Sequence, residues 1–112
     1  MQAVLRIDGL PPGALDAVAE FHRKWLEQAR GALRGEASSL VIVMASAPAD
    51  HRDWRRGVAR DLARDLAPKR VNLVAGDDAD AIAATLEYLD RAPGVTGQLL
   101  PVSGQGAGDP AG

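Results

Sequence analysis

The sequence contains no cysteine, so disulfide bonds, thiolate nucleophiles and cysteine metal ligands are excluded. No apolar run approaches the roughly 20 residues that a membrane-spanning helix needs; the longest is Leu40 to Ala45. Neither sign of charge dominates, and a net charge of −2 gives no electrostatic reason to expect nucleic acid or membrane partners. The N-terminus lacks a signal-peptide pattern, and alanine, arginine and glycine are frequent. We therefore expect a cytoplasmic, bacterial protein.

Short apolar runs alternate with amphipathic segments along the chain. The runs predict strands at residues 3–8, 39–45, 71–74 and 97–102, and the amphipathic segments predict helices at residues 14–34, 52–67 and 78–91. This order predicts an α/β domain with a mostly parallel four-stranded sheet, in which Pro101 marks an edge strand. We expect one domain over residues 1–104 and a disordered tail over residues 105–112, where no core-forming residue occurs.

The handedness of the connections raises a question about the second face of the sheet. If each strand lies beside the previous one, right-handed crossovers place all three helices on one face. The continuous apolar run at residues 39–45, however, predicts a strand that is covered on both faces. A second copy of the chain, a displaced helix or a partner protein must then cover the other face.

The segment from Arg52 to Ala75 shows the repeating unit most clearly. One apolar stripe recurs every four residues, at Trp54, Val58, Leu62 and Leu66, and Pro68 ends the helix. We expect Asp50 to cap this helix with Asp53 as its capping-box partner. Ion pairs are expected from Asp53, Asp61 and Asp65 to Arg56, Arg64 and Lys69.

Two segments carry a family resemblance. RVNLVAG at residues 70–76 and VTGQLLPVSG at residues 95–104 resemble the C-terminal half of the short-chain dehydrogenase/reductase superfamily, and SSLVIVMASA at residues 38–47 is similar to the strand that leads to its active-site serine. The resemblance covers most of residues 1–104. It implies a small Rossmann-like βαβαβαβ half-domain, in which Ser46 corresponds to that serine.

Other positions depart from the family pattern. The family's dinucleotide site lies in an N-terminal half that this sequence does not contain, and its Tyr-x-x-x-Lys pair falls near Pro48 and Arg52. The only tyrosine is Tyr88, in the last predicted helix. The only G-x-G-x-x-A pattern, at residues 106–111, has no helix after it. We therefore expect no cofactor, no catalytic residues and no enzymatic activity.

The candidate site residues form two groups. Candidate ligand-binding residues stand where strands end, at Ser46, Gly76 and Asp77. Candidate interface residues stand on the first two helices, whose family counterparts commonly build a dimer: His22, Trp25, Trp54, Val58 and Leu62. His51 has acidic neighbours, but no second ligand cluster supports a metal site, and none is expected.

Two classes of function remain open. The first is a non-catalytic pseudoenzyme that acts as an interaction module, either as a homodimer or bound to another protein chain. The alternative is a small-molecule or nucleotide-binding domain with its site at the C-terminal ends of the strands, or one half of a split reductase.

Overall fold

The computed structural model describes residues 1–103, so the tail at residues 105–112 and the G-x-G-x-x-A pattern lie outside the described residues. Four parallel strands form one sheet in chain order: β1 (Gln2–Ile7), β2 (Ser39–Met44), β3 (Arg70–Ala75) and β4 (Leu99–Pro101). Every residue of β2 is buried, as its continuous apolar run predicts, and β4 lies at an edge of the sheet. The predicted α/β fold is thus confirmed.

Helices connect successive strands. The segment between β1 and β2 comprises α1 (Ala14–Glu20), a π-helical turn (Phe21–Trp25) and α2 (Leu26–Ala32). A 3₁₀ turn (Ala49–His51) leads into α3 (Arg52–Asp65), and α4 (Ala79–Asp90) precedes β4. No helix within residues 1–103 is both long enough and apolar enough to cross a membrane.

The helices lie on both faces of the sheet, which corrects the expectation that all three share one face. One core joins α1, α2 and α3 to Leu40, Ile42 and Leu73, while α4 packs on the opposite face against Val41 and Val74. The connections through α3 and α4 both lead to the next strand in the same direction across the sheet, but the two helices lie on opposite faces. The two crossovers therefore have opposite handedness. One of these two crossovers is thus left-handed, although about 98% of such crossovers are right-handed. The displaced helix α4 covers apolar side chains that would otherwise face water.

The π-helical turn has a visible cause in the sequence. Buried or partly buried positions in this segment recur at intervals of four, at Ala17, Phe21, Trp25, Ala29 and Leu33. At 3.6 residues per turn, each interval of four drifts by about 40° around an α-helix. The wider π turn absorbs part of this drift, so one helical segment keeps all five side chains towards the sheet.

Polar contacts around α3 differ from the predicted ones. Asp61 and Arg64 do form an ion pair, at 3.8 Å. Asp65, however, accepts a hydrogen bond from Arg30 Nε of α2 at 3.1 Å instead of pairing with Lys69. Lys69 Nζ donates to the backbone carbonyls of Leu33 and Gly35, at 2.6 and 2.8 Å. Lys69 therefore satisfies carbonyls at the end of α2, where a cation also complements the helix dipole.

Candidate functional site

The three candidate ligand-binding residues come together at the C-terminal edge of the sheet. The backbone N–H of Ser46 donates to Asp77 Oδ1 at 3.0 Å, and the N–H of Gly76 donates to the Met44 carbonyl at 3.0 Å. Asp77 therefore fastens the loop after β2 to the loop after β3. This contact engages one of the oxygens that a ligand would need, so the carboxylate has a structural role here.

Gly76 is surrounded by protein. A Cβ at this position would lie 2.6 Å from Val102 Cγ2 and 2.9 Å from the Val102 carbonyl oxygen. Glycine is therefore required for the close approach of the segment after β4, whose Val102 occupies the space where a side chain would lie. The glycine of the RVNLVAG segment serves packing.

His51 connects the loop after β1 to the start of α3. Its Nε2 lies 2.8 Å from the Pro12 carbonyl, and Trp54 Nε1 lies 3.0 Å from its Nδ1. A carbonyl only accepts and an indole N–H only donates, so the imidazole carries its proton on Nε2. Both ring nitrogens are thus engaged, and neither is available as a metal ligand or as a base for Ser46.

The expected cap of α3 is absent. Pro48 and His51 are the residues that precede the 3₁₀ turn and α3, and neither makes a side-chain capping bond. Asp50 lies inside the 3₁₀ turn rather than before it, so its carboxylate is not in the capping position. The predicted Asp50–Asp53 capping box is therefore wrong. Asp78, in contrast, does cap α4, because its Oδ1 accepts the Ala81 N–H at 2.8 Å.

Arg55, which the sequence patterns did not single out, is a buried charged side chain at this edge. Arg55 is only 7% exposed, and its Nη1 donates to the Ala45 carbonyl at 2.8 Å. Two adjoining cavities of ≈ 280 and ≈ 190 Å³ meet at Arg55 and share Ser46 and His51 in their walls. The spacing of Arg55 to Ala59 and Leu62, at four and seven residues, is the signal that places it on the apolar face of α3.

The two family-like segments bind each other. Asn72, which is 2% exposed, donates from Nδ2 to the Val95 carbonyl at 2.9 Å and accepts the Gln98 N–H on Oδ1 at 3.1 Å. In return, Thr96 Oγ1 accepts the Val71 N–H at 3.0 Å. We refer to these contacts as the Asn72 clasp. The Asn72 clasp holds the loop between α4 and β4 against β3, directly ahead of β4 in the chain. These motif residues therefore have a structural role.

A second surface lies on the outer side of the helices. A groove of ≈ 460 Å³ runs between the α1–α2 segment and α3, and four of the five candidate interface residues line it: His22, Trp54, Val58 and Leu62. Val58 and Leu62 are only 6% and 4% exposed, so they belong to the core and form the floor of the groove. His22 is exposed on its rim, where its Nδ1 lies 2.8 Å from the Val18 carbonyl.

Trp25 is the candidate interface residue that does not line this groove. It is partly buried against the main core, and Lys24 Nζ lies 5.2 Å from its ring centroid. The polar rim of the groove carries charges of both signs, from Arg30, Asp61 and Asp65. The groove therefore combines an apolar floor with a mixed-charge rim.

The turns at the C-terminal edge of the sheet do not fit the dinucleotide that the fold family implies. Such a cofactor needs backbone N–H groups and a positive field around its pyrophosphate. The turn after β1 contains Pro11 and Pro12, and the turn after β2 contains Pro48, none of which has an N–H. The turn after β3 carries the carboxylates of Asp77 and Asp78. The proline residues provide no N–H donor at the first two turns, and the aspartates add negative charge at the third, so these three turns do not form a pyrophosphate site.

The two residues that a reductase would need close together lie at opposite edges of the sheet. Ser46 follows the C-terminal end of β2. Tyr88 is on the last turn of α4, where Gln2 and Arg70, at the starts of β1 and β3, donate to the Leu86 and Leu89 carbonyls. Tyr88 is therefore at the N-terminal edge, where it is 57% exposed.

Residues 5–102 match a family model described as SDR-like, short-chain dehydrogenase-like protein. No curated protein and no solved structure matches the chain.

Proposed function

The chain belongs to the SDR-like family of short-chain dehydrogenase-like proteins, and from this membership we propose that it is a pseudoenzyme that acts as a protein-interaction module. The proposal has two parts: the chain performs no hydride transfer, and it forms a homodimer through the groove between the α1–α2 segment and α3. The single observation that carries the first part is the separation of Ser46 from Tyr88, the only tyrosine of the sequence, by the length of the sheet.

The composition of the groove supports the second part. Its floor is apolar and continuous with the main core, and Trp54 stands partly exposed above it. Leu15, one turn before the groove residue Val18, is 84% exposed on the same side of α1. Clusters of exposed apolar side chains with a polar rim are typical of protein interfaces.

The charges on the rim favour a second copy of the same chain as the occupant. An isologous dimer brings the same patch of both subunits together, so each patch must complement itself. Arg30 of α2 and Asp61 of α3 lie on opposite sides of the groove and have opposite charge. Within one chain Arg30 pairs with Asp65 and Asp61 with Arg64, and a two-fold axis through the groove allows Arg30 of one subunit to face Asp61 of the other in addition.

Gly57 offers a direct test. It lines the groove, and a Cβ built on it meets no atom within 4 Å, so a side chain fits in the single chain without a clash. We expect light scattering at tens of micromolar to give the mass of two chains for the wild type and of one chain for Gly57→Arg. Gly94→Arg is the matched control, because Gly94 is equally open and lies outside the groove.

The outcome is informative in both directions. A Gly57→Arg monomer beside a dimeric Gly94→Arg variant would support the groove as the interface. A wild-type chain that stays monomeric at these concentrations would contradict the proposal, and so would a Gly57→Arg variant that dimerises like the wild type.

A further inference from the structure

Arg55 is buried at the C-terminal edge of the sheet without a full set of partners. It is 7% exposed and occupies the apolar face of α3 beside Ala59 and Leu62. Its one hydrogen bond within residues 1–103 runs from Nη1 to the Ala45 carbonyl, and its Nε has no partner there. Buried arginines are normally paired, because an unpaired buried donor or charge is costly.

The charge of Arg55 also lacks a counterion. No carboxylate within residues 1–103 lies within ion-pair distance of its guanidinium, whereas five other arginines of that region do form ion pairs. Burial lowers the pKa of Arg55, but a guanidinium stays protonated in proteins. Two acidic residues at this edge do not pair with Arg55: Asp8 lines a cavity beside it, and Asp77 accepts the Ser46 N–H.

The space next to this charge is mostly apolar. The larger cavity, of ≈ 280 Å³, has walls that include Ile7, Leu10, Ala17 and Met44. Pro11 and Pro12 form part of the same wall and contribute no N–H donors. The polar side chains in the walls besides Arg55 are those of Asp8, Ser46 and His51. One buried cation beside a mostly apolar cavity matches a small molecule with a single anionic group and a hydrocarbon body.

We propose that the chain binds a small organic carboxylate in this cavity, with Arg55 as the residue that binds the carboxylate group. The planar guanidinium suits the planar carboxylate, with which arginine forms its strongest hydrogen bonds. A phosphate is disfavoured, because its extra charge would meet the Asp8 side and its extra oxygens would find prolines instead of N–H donors. The site lies apart from the groove, so it does not depend on the proposed dimer.

Butyrate is a suitable probe, since it joins a carboxylate to a three-carbon chain. Titration of the ¹⁵N-labelled full chain with sodium butyrate, at constant sodium concentration, should produce saturable shifts of the amide signals of Leu10 and of residues 45–47 and 49–55. 1-Butanol has the same length without the charge, and inorganic phosphate has the charge without the hydrocarbon; both should bind at least about tenfold more weakly, as expected when a charge-assisted hydrogen bond or the apolar contact is lost.

Variants of Arg55 assign the effect to its side chain. Arg55→Met keeps the apolar stem and should weaken butyrate binding about tenfold or more, while Arg56→Met, the exposed neighbour on the same helix, should bind as the wild type does. Arg55→Lys keeps the positive charge but replaces the planar guanidinium with an ammonium group, and it should weaken butyrate binding several-fold. This variant provides the test if Arg55→Met does not fold.

Several results would overturn the proposal. These are butyrate shifts that do not saturate, butanol or phosphate binding as tightly as butyrate, and an Arg55→Lys variant that binds butyrate like the wild type. Loss of butyrate binding in a chain that still dimerises would leave the groove proposal intact, and the reverse result would leave the carboxylate site intact, so the two proposals fail separately.

Discussion

Asn72→Ala should destabilise the chain strongly, because Asn72 alone satisfies two backbone groups of the loop between α4 and β4. The substitution removes the partners of the Val95 carbonyl and the Gln98 N–H, which lie 2.9 and 3.1 Å from the amide. Each partly buried backbone group left without a partner costs about 1–3 kcal/mol. Water reaching the loosened loop recovers part of this, so we expect a loss of about 2–4 kcal/mol in the free energy of unfolding.

Urea unfolding followed by circular dichroism measures this loss, and a thermal melt should show a fall of about 10 °C or more. Gln98→Ala is the matched control: it removes an exposed side chain and keeps the backbone N–H that Asn72 accepts, so it should cost less than about 0.5 kcal/mol. The reasoning would be refuted if Asn72→Ala cost less than about 0.5 kcal/mol, or if the control cost as much as Asn72→Ala.

Two further substitutions test the packing at the C-terminal edge. Gly76→Ala should cost about 1–3 kcal/mol in a thermal melt, because its Cβ would lie 2.6 Å from Val102 Cγ2 and the backbone must move; a neutral result would mean that this close approach is not needed. His51→Ala should cost about 1–3 kcal/mol, since Pro12 and Trp54 each lose a hydrogen-bond partner; an unchanged urea midpoint would show that water replaces the imidazole at no cost.

The order of elements was predictable from local pattern, because alternating apolar runs and amphipathic segments reflect burial directly. Each predicted strand and helix exists, with boundaries that differ by a few residues. The π-helical turn was not predicted, although the spacing of four between Ala17, Phe21 and Trp25 carries its signal. A stripe of apolar residues indicates which side of a helix is buried, but not how the helix adjusts to keep it there.

The side of the sheet that α4 covers could not be derived in the same way. The right-handed rule is statistical, and it favoured the wrong face here. The apolar residues of β2 pointed to a second covered face, and a displaced helix was one of three open ways to cover it. Deciding among them requires the tertiary packing of Val41 and Val74 against Ile82 of α4, which no local pattern contains.

The contacts of three polar residues could not be predicted from the sequence. Asp50 has the residue type of a cap, but the 3₁₀ turn displaces it from the capping position. Arg55 was overlooked because charged residues are expected to face water, and only its spacing to Leu62 placed it among buried residues. The role of Asn72 depends on Val95 and Gln98, more than 20 residues away in the chain. Long-range contacts of this kind decide which polar side chains are buried.

The family resemblance rests largely on residues that pack. Asn72 and Thr96 fasten the two family-like segments to each other, and Gly76 allows Val102 to approach. These packing residues all lie within residues 5–102, the part of the chain that the family model matches. Membership of the family therefore does not imply catalysis by this chain. The proline-containing turns at the strand ends argue against a dinucleotide site there.

Calorimetric titration with NADH and NADPH tests most directly whether this framework has lost its cofactor chemistry. We expect no saturable heat for either dinucleotide and no change in melting temperature at 1 mM ligand. A functional site with a Kd of about 10 µM would be saturated at this concentration, which is on the order of a hundred times that Kd. Saturable binding at that affinity would stabilise the fold by about 2.7 kcal/mol and raise the melting temperature by about 10 °C or more, and that result would contradict the proposed pseudoenzyme.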